Sequence, residues 1–322
     1  MGIYNIPDGS LYYNKFDFKN VMLIILIMDL HVKINIRTIT NAEGSSLGDG
    51  HQTKGLKRDT VDKFYTKSLI VKECCLNIQK CLHVCKISDI IIEPSAGNGA
   101  FMECINSICD NTYFYDLKPD NVNITQQDFL KLDYTKFKNK SVHVIGNPPF
   151  GRQSSMAIKF IRFSAKFASS ISFILPKSFK KDSLKKKVPL KFHCVYEADL
   201  PYNSFLLNNK DYDVPCIFQI WQKQADNRIE DKKLTPTKYT FVKKTDSHDI
   251  SFRRVGVNAG NIDTDTLSKS PQSHYFIKFD EGIFNKALLD KLNALKFTSS
   301  NDTVGPKSIS QQELIKEFVM VV

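Results

Sequence analysis

Several chemistries are excluded by what the chain has little of. Its 322 residues include one tryptophan and eight cysteines, and only seven of its 45 basic residues are arginine. The cysteines lack paired Cys-x-x-Cys spacing. Cys74, Cys75, Cys81 and Cys85, with His83 between the last two, do not make a structural zinc pattern, and no disulfide framework is expected without a secretory leader. Most fit the apolar face of a helix over 68–84, so no metal is expected. Long apolar runs are also missing. The run over 21–28 stops at Asp29 after eight residues, too short to cross a bilayer. It has neither a basic start nor a small-residue cleavage site, so it reads as a strand or core helix, with Met28 an alternative start. The chain accordingly reads as intracellular, with no membrane partner. No repeat or low-complexity tract alters that class.

What is present allows a full core. Hydrophobic residues make up 42% of the chain, enough for one large domain and an appendage. The formal net charge of +11 points to a polyanionic partner, because lysines near a groove gain affinity by releasing phosphate counterions. A codon pool biased toward Lys, Asn and Ile accounts for the same excess.

The most informative stretch is Asn147-Pro148-Pro149-Phe150. An apolar β-branched strand over 141–145, ended by Gly146, should deliver Asn147 to the carboxyl edge of a buried parallel sheet, where open α/β sheets bind ligands. Two prolines fix φ and remove two backbone donors, which leaves a rigid loop rich in acceptors. The Asn147 side-chain oxygen and the Pro148 carbonyl can each accept one hydrogen of an –NH2 group, and Phe150 offers a face for a flat base. Such a loop suits modification of an exocyclic amine.

A second turn lies upstream. Residues 90–101 read as a strand, a Gly-x-Gly turn at Gly97 and Gly99, and a helix, the pattern of a nucleotide-binding βα unit. The third glycine of the dinucleotide pattern is absent, which disfavours a pyrophosphate cofactor. A strand over 113–116 then ends at Asp116, nineteen residues after Gly97, where a carboxylate can grip ribose hydroxyls. Taken alone, an acid at Asp116 is more often a turn or helix-cap residue. Gln127-Asp128-Phe129 can set a carboxylate against an adenine amine with an aromatic beside the ring.

In order and spacing these motifs resemble the S-adenosylmethionine-dependent nucleic-acid amino-methyltransferases that act on adenine N6, over residues 60–223. The resemblance implies a Rossmann-like class I methyltransferase fold: a doubly wound, mostly parallel seven-stranded sheet with an antiparallel last strand. It implies S-adenosyl-L-methionine as cofactor. Glu93, Ser95, Gly97 and Gly99 would hold its methionine part, helped by Tyr65 and Thr66 from the segment over 62–66. Asp116 would hold its ribose, and Asp128 and Phe129 would bracket its adenine. Asn147, Pro148, Pro149 and Phe150 would form the catalytic loop, with Asn rather than Ser suiting adenine. The target amine would attack the sulfonium methyl directly, so positioning and desolvation are the protein's part. A paired base must be flipped out to reach such a pocket. Phe205 is the candidate for a second stacking ring, and it equally suits a core.

Around this loop, Lys177, Lys180, Lys181, Lys185, Lys186, Lys187 and Lys191 crowd the segment after a strand over 171–176. Lys177, Lys180 and Arg152 are candidates for a nucleic-acid backbone, and a solvated face accounts for the run equally. A helix is expected over 154–167, and a hairpin around 211–215 should lie between strands over 194–196 and 217–221. The domain reading is an extension and linker over 1–58, with 41–55 rich in Gly and Ser; a catalytic domain over 59–224; and a β-rich extension over 225–322. The last has strands over 239–242, 250–255 and 274–279, a helix over 284–295 and a polar tail. Arg253, Arg254 and its aromatics would hold nucleic acid or simply complete a core edge. Two alternatives remain: a protein glutamine-N5 methyltransferase, whose loop usually carries Tyr after Asn-Pro-Pro, and a non-catalytic nucleic-acid-binding partner subunit with the same fold.

Overall fold

A computed structural model describes residues 64–322. The apolar run over 21–28, Met28, the linker over 41–55 and residues 62–63 lie outside the described residues. Those described fall in one unit, His51–Val322.

In chain order the elements are β1 (Tyr65–Thr66), α1 (Ser68–Cys81), β2 (Ile90–Glu93), α2 (Met102–Ile108), β3 (Thr112–Asp116), β4 (Thr125–Gln126) and β5 (Val142–Gly146). Then come α3 (Ser155–Ser164), β6 (Ser170–Pro176), α4 (Asp182–Lys185), β7 (Phe192–Asp199), β8 (Phe205–Leu207), β9 (Lys210–Tyr212) and β10 (Cys216–Lys223). The C-terminal part holds β11 (Tyr239–Val242), β12 (Ile250–Arg253), β13 (Ile262–Asp263), β14 (His274–Phe279), α5 (Lys286–Asn293) and α6 (Gln311–Phe318).

Seven strands form one sheet in the order β4-β3-β2-β5-β6-β10-β7. β10, the last of them in the chain, inserts antiparallel to both β6 and β7, while the pairs from β4 to β6 are parallel. This is a Rossmann-like, doubly wound arrangement, mostly parallel with an antiparallel last strand. Alternation along the strands sorts side chains onto two faces. Ile91, Phe114, Ile145, Ile174 and Phe218 pack under α1 and α2, and Ile90, Ile92, Val144, Phe173 and Ile217 pack under α3. Each fully buried Ile or Phe contributes about 1.5–3 kcal/mol relative to exposure, so both faces need a helical cover. The strand order reverses between β2 and β5, and a crevice opens at the carboxyl ends of such a pair.

Two local expectations shift. The hairpin turn lies at Asn208 and Asn209, whose φ of 51° and 60° suit a two-residue turn, and the β8–β9 pair it joins also takes in β1. The tail after α5 is partly a core element. Ser310 and Glu313 close a capping box at the start of α6, which buries Leu314, Ile315 and Phe318.

The C-terminal strands form a four-stranded antiparallel sheet, β11-β14-β12-β13, with its own core against α5 and α6. Lys181 joins the two sheets: its ammonium donates to the Ser308 carbonyl at 2.6 Å and meets Glu313 at 3.2 Å. Among the described residues no helix is long and apolar enough to cross a membrane.

Candidate functional site

The ends of β2 and β5 meet at the strand-order reversal. Ile92 pairs with Val144, which sets Glu93 level with Ile145 and Gly146 one residue further on. Gly146 has φ +147°, and a Cβ there would sit 3.1 Å from Glu93 Cγ, so glycine is what lets the two strand ends approach. The backbone then delivers Asn147, whose carbonyl accepts from Ser95 Oγ at 3.0 Å. The Asn147 amide donates through Nδ2 to Thr66 Oγ1 at 3.4 Å, which turns Oδ1 away from Thr66. Asn147 Oδ1 is buried without a hydrogen-bond partner, and so is Glu93 Oε2. Leaving a buried acceptor unpaired costs about 1–3 kcal/mol, more for a charged one. Burial, and secondarily the Asp116 charge, pushes the Glu93 carboxyl up to about 8. Pro148 is buried, Pro149 exposed and Phe150 half-buried against the α1 side of the core. The Phe150 carbonyl accepts from Met156 N–H at 3.0 Å and ties the loop to α3.

The Gly-rich turn is braced by the next strand. Ala96 N–H donates to the Tyr115 carbonyl at 2.9 Å, and Gly97 N–H to Asp116 Oδ2 at 2.8 Å. Asp116 Oδ1 accepts from Lys118 N–H, also at 2.8 Å. Gly97 has φ +55°, and a Cβ there would touch the Tyr65 ring at 3.4 Å, so the turn and β1 close on each other. The Tyr65 hydroxyl donates to Asp120, a residue that sequence reasoning missed. Burial first, then that bond, pushes the Tyr65 hydroxyl up to about 12. Gly99 N–H donates to the Ala96 carbonyl at 2.7 Å, completing the turn before α2. Tyr65, Thr66, Glu93, Ser95, Gly97, Gly99, Asp116 and Asn147 therefore gather at the carboxyl ends of β2, β3 and β5.

Other candidates fall elsewhere. Phe205 is 1% exposed and packed in the core, so it has no face for a second base contact. Phe129 stacks on Phe160 at 5.4 Å and edges onto Phe163 at 5.1 Å beneath α3, so its ring cannot bracket a ligand. Asp128 caps the following turn by accepting from Leu130 N–H at 3.1 Å, with Lys131 3.7 Å from its other oxygen. The lysine run is mostly spent on internal contacts. Lys180 meets Asp199 at 3.1 Å, Lys177 meets the same carboxylate at 3.9 Å, and Lys185 meets Glu197 at 2.8 Å. Lys186 and Lys191 donate to the carbonyls of Asp231 and Ala225. Arg253 donates to the Val255 carbonyl, and Arg254 to the Gln272 carbonyl over the Tyr275 ring. Arg152 is exposed just past the Asn-Pro-Pro-Phe loop.

Sequence reasoning also missed Arg228, which donates to the carbonyls of Lys185, Val188, Pro189 and Phe192 and pins the end of the lysine segment. It missed Val304 too, which packs from the C-terminal part onto the same apolar cluster as Phe150. Neither position has a local signal, because each acts through neighbours far along the chain. All eight cysteines are free, and no group of three or more His, Cys, Asp or Glu side chains could hold a metal among the described residues.

No protein-family model matches the chain, and no curated protein does. Among solved structures it is similar to the 23S rRNA methyltransferase ErmE, at 11% identity over 52% of this chain and 73% of that one, TM-score 0.39. It is similar to the methyltransferase subunit of a type I restriction-modification system from Streptococcus thermophilus, at 15% identity over 51% of this chain and 46% of that one, TM-score 0.37. An rRNA methylase from Streptococcus thermophilus is similar at 11% identity over 48% of this chain and 94% of that one, TM-score 0.32.

Proposed function

We propose that the chain is an S-adenosylmethionine-dependent methyltransferase that methylates N6 of adenine in DNA or RNA, on an unpaired or flipped-out base. The observation that carries this reading is the buried, unpartnered Asn147 Oδ1 at the carboxyl edge, oriented by Thr66 and followed by two prolines. An acceptor kept dry and held in place awaits a donor, and an exocyclic amine is one. In this reading Asn147 Oδ1 and the Pro148 carbonyl each take one amine hydrogen, and Phe150 stacks on the base. Holding both hydrogens raises the electron density on the nitrogen and aims its lone pair into the crevice.

The residues present fit the cofactor. Glu93 Oε2 is buried and unpartnered, a cationic group beside it would favour the ionised carboxylate, and the left-handed turn at Gly97 lets backbone approach closely. Glu93, Ser95, Gly97, Gly99, Tyr65 and Thr66 would hold the methionine part and Asp116 the ribose. Asp128 would meet the adenine from its capping position, with Phe129 contributing backbone only. Bound there, the cofactor supplies an activated methyl group. The chain excludes water and positions the amine, and no side-chain nucleophile is needed.

The test is methyl transfer from labelled S-adenosylmethionine to single- and double-stranded DNA, structured RNA and protein, comparing the native chain with Asn147→Ala and identifying the product by mass spectrometry. N6-methyladenine that vanishes in the variant is the expected outcome. Methylated glutamine, or no transfer to any polymer, would overturn the reading.

A further inference from the structure

The C-terminal part carries a groove of about 520 Å³ that the Asn147 site does not use. It runs between the loop ahead of β13, the end of α5 and the segment over 295–307. Asn261, Asn293, Asn301, Phe297, Lys296 and Lys307 are among the residues that line it. The lining contains no Asp or Glu, although the chain has 34 of them. Among the described residues neither lysine ammonium has a partner, in contrast to most of the run over 177–191.

The walls are braced. The Lys307 carbonyl accepts from Gly256 N–H at 3.0 Å, Ser308 N–H donates to the Ser300 carbonyl at 3.1 Å, and Ile309 N–H to the Arg254 carbonyl at 2.8 Å. Two contacts tie the rim of the groove to the part of the chain that carries the seven-stranded sheet. Between its lining residues Asn301 and Lys307 lies a short loop whose Val304 packs on the apolar cluster that includes Phe150. One residue beyond Lys307, Ser308 accepts from Lys181, which follows β6 at the same carboxyl edge as Asn147.

We propose that this groove binds the phosphodiester strand flanking the target base, with Lys296 and Lys307 on phosphates and the asparagine amides on base edges. An acid-free groove with two unpaired ammoniums favours a polyanion, amides can both donate and accept at base edges, and Phe297 offers a surface against which a base can pack. The proposal rests on the nucleic-acid reading of the Asn147 site and adds where the strand lies.

The test uses the full chain and labelled single strands of about twelve nucleotides, DNA and RNA separately, with affinity measured over a salt series. The variants are Lys296→Ala/Lys307→Ala and Asn147→Ala, and methyl transfer and cofactor affinity are measured in parallel. The double variant should bind about three- to tenfold more weakly, with a salt slope lower by about 0.7 per lost phosphate contact and cofactor affinity unchanged. Asn147→Ala should keep most of the strand affinity while losing transfer. Equal strand binding by the native chain and the double variant, with transfer intact in both, would overturn the groove and leave the methyltransferase reading standing. A native chain that neither binds strands nor methylates them would overturn both.

Discussion

At the amino edge of the seven-stranded sheet Asp89 and His143 are buried, less completely than Glu93 at the carboxyl edge, and their polar atoms have partners. Asp89 Oδ2 accepts from Cys85 N–H at 2.9 Å and faces His143 Nε2 at 3.2 Å, and His143 Nδ1 meets Ser170 Oγ at 2.7 Å. Burial pushes the Asp89 carboxyl up, but the bonds from Cys85, His143 and Ser88 outweigh it and hold it below its ordinary value. At the carboxyl edge the balance is opposite, and Glu93 is pushed far up. Among the described residues, of the buried carboxylate and amide oxygens lacking a hydrogen bond, Glu313 Oε1 faces the Lys181 ammonium, which leaves Glu93 Oε2 and Asn147 Oδ1. One sheet thus carries a satisfied polar network at one edge and unsatisfied acceptors at the other. The first acts as scaffold, and under the proposed function the second would meet a ligand's donors.

The largest effect should come from removing the unsatisfied amide. Asn147→Ala should lower single-turnover methyl transfer at least about a hundredfold while leaving the thermal midpoint near that of the native chain. A variant that unfolds instead would make Asn147 a scaffold residue and erase the contrast.

The next effect is in pH. Glu93 has a folded value of about 8, above the carboxyl's ordinary 4.5, so the folded chain holds a proton that the unfolded chain has released between those limits. Stability of the ligand-free chain should therefore fall as pH rises through that window, with a slope approaching about 1.4 kcal/mol per pH unit from this group. Thermal melts at pH 6 and pH 8.5 should show the loss, and Glu93→Gln should flatten it. A native profile no steeper than that of Glu93→Gln would contradict the assignment.

Breaking the satisfied edge should act on folding alone. Asp89→Ala strands the Cys85 N–H and His143, so denaturant unfolding should show a loss of about 2 kcal/mol. Methyl transfer per folded molecule should hold, and a loss of transfer matching Asn147→Ala would mean that the two edges are not separate. The smallest effect is expected from Lys180→Ala, which removes a partly exposed pair with Asp199 and should cost under about 1 kcal/mol. Strand affinity should change less than in the Lys296 and Lys307 variant, and the reverse ranking would return the lysine run to the nucleic-acid interface.

The chain's own pattern determined the sheet and the loop. Ile90–Glu93, Val142–Gly146 and Ser170–Pro176 are short, mostly apolar runs buried on both faces, the pattern of strands in a sheet covered on both sides. Gly97, Gly146 and the Pro148-Pro149 pair shape the backbone locally, so their turns were legible one residue at a time. Side-chain fate was not. Whether Phe129 or Phe205 meets solvent or core depends on which helix or strand covers it, and Asp199, Glu197 and the Asp231 carbonyl reach the lysine run only through the fold. The bond from Asn147 to Thr66 spans 81 residues and forms only once the fold brings β1, paired with β8, beside the loop after β5. Local sequence sets backbone preference and periodicity; partnership and burial are properties of surfaces that meet after the chain has folded.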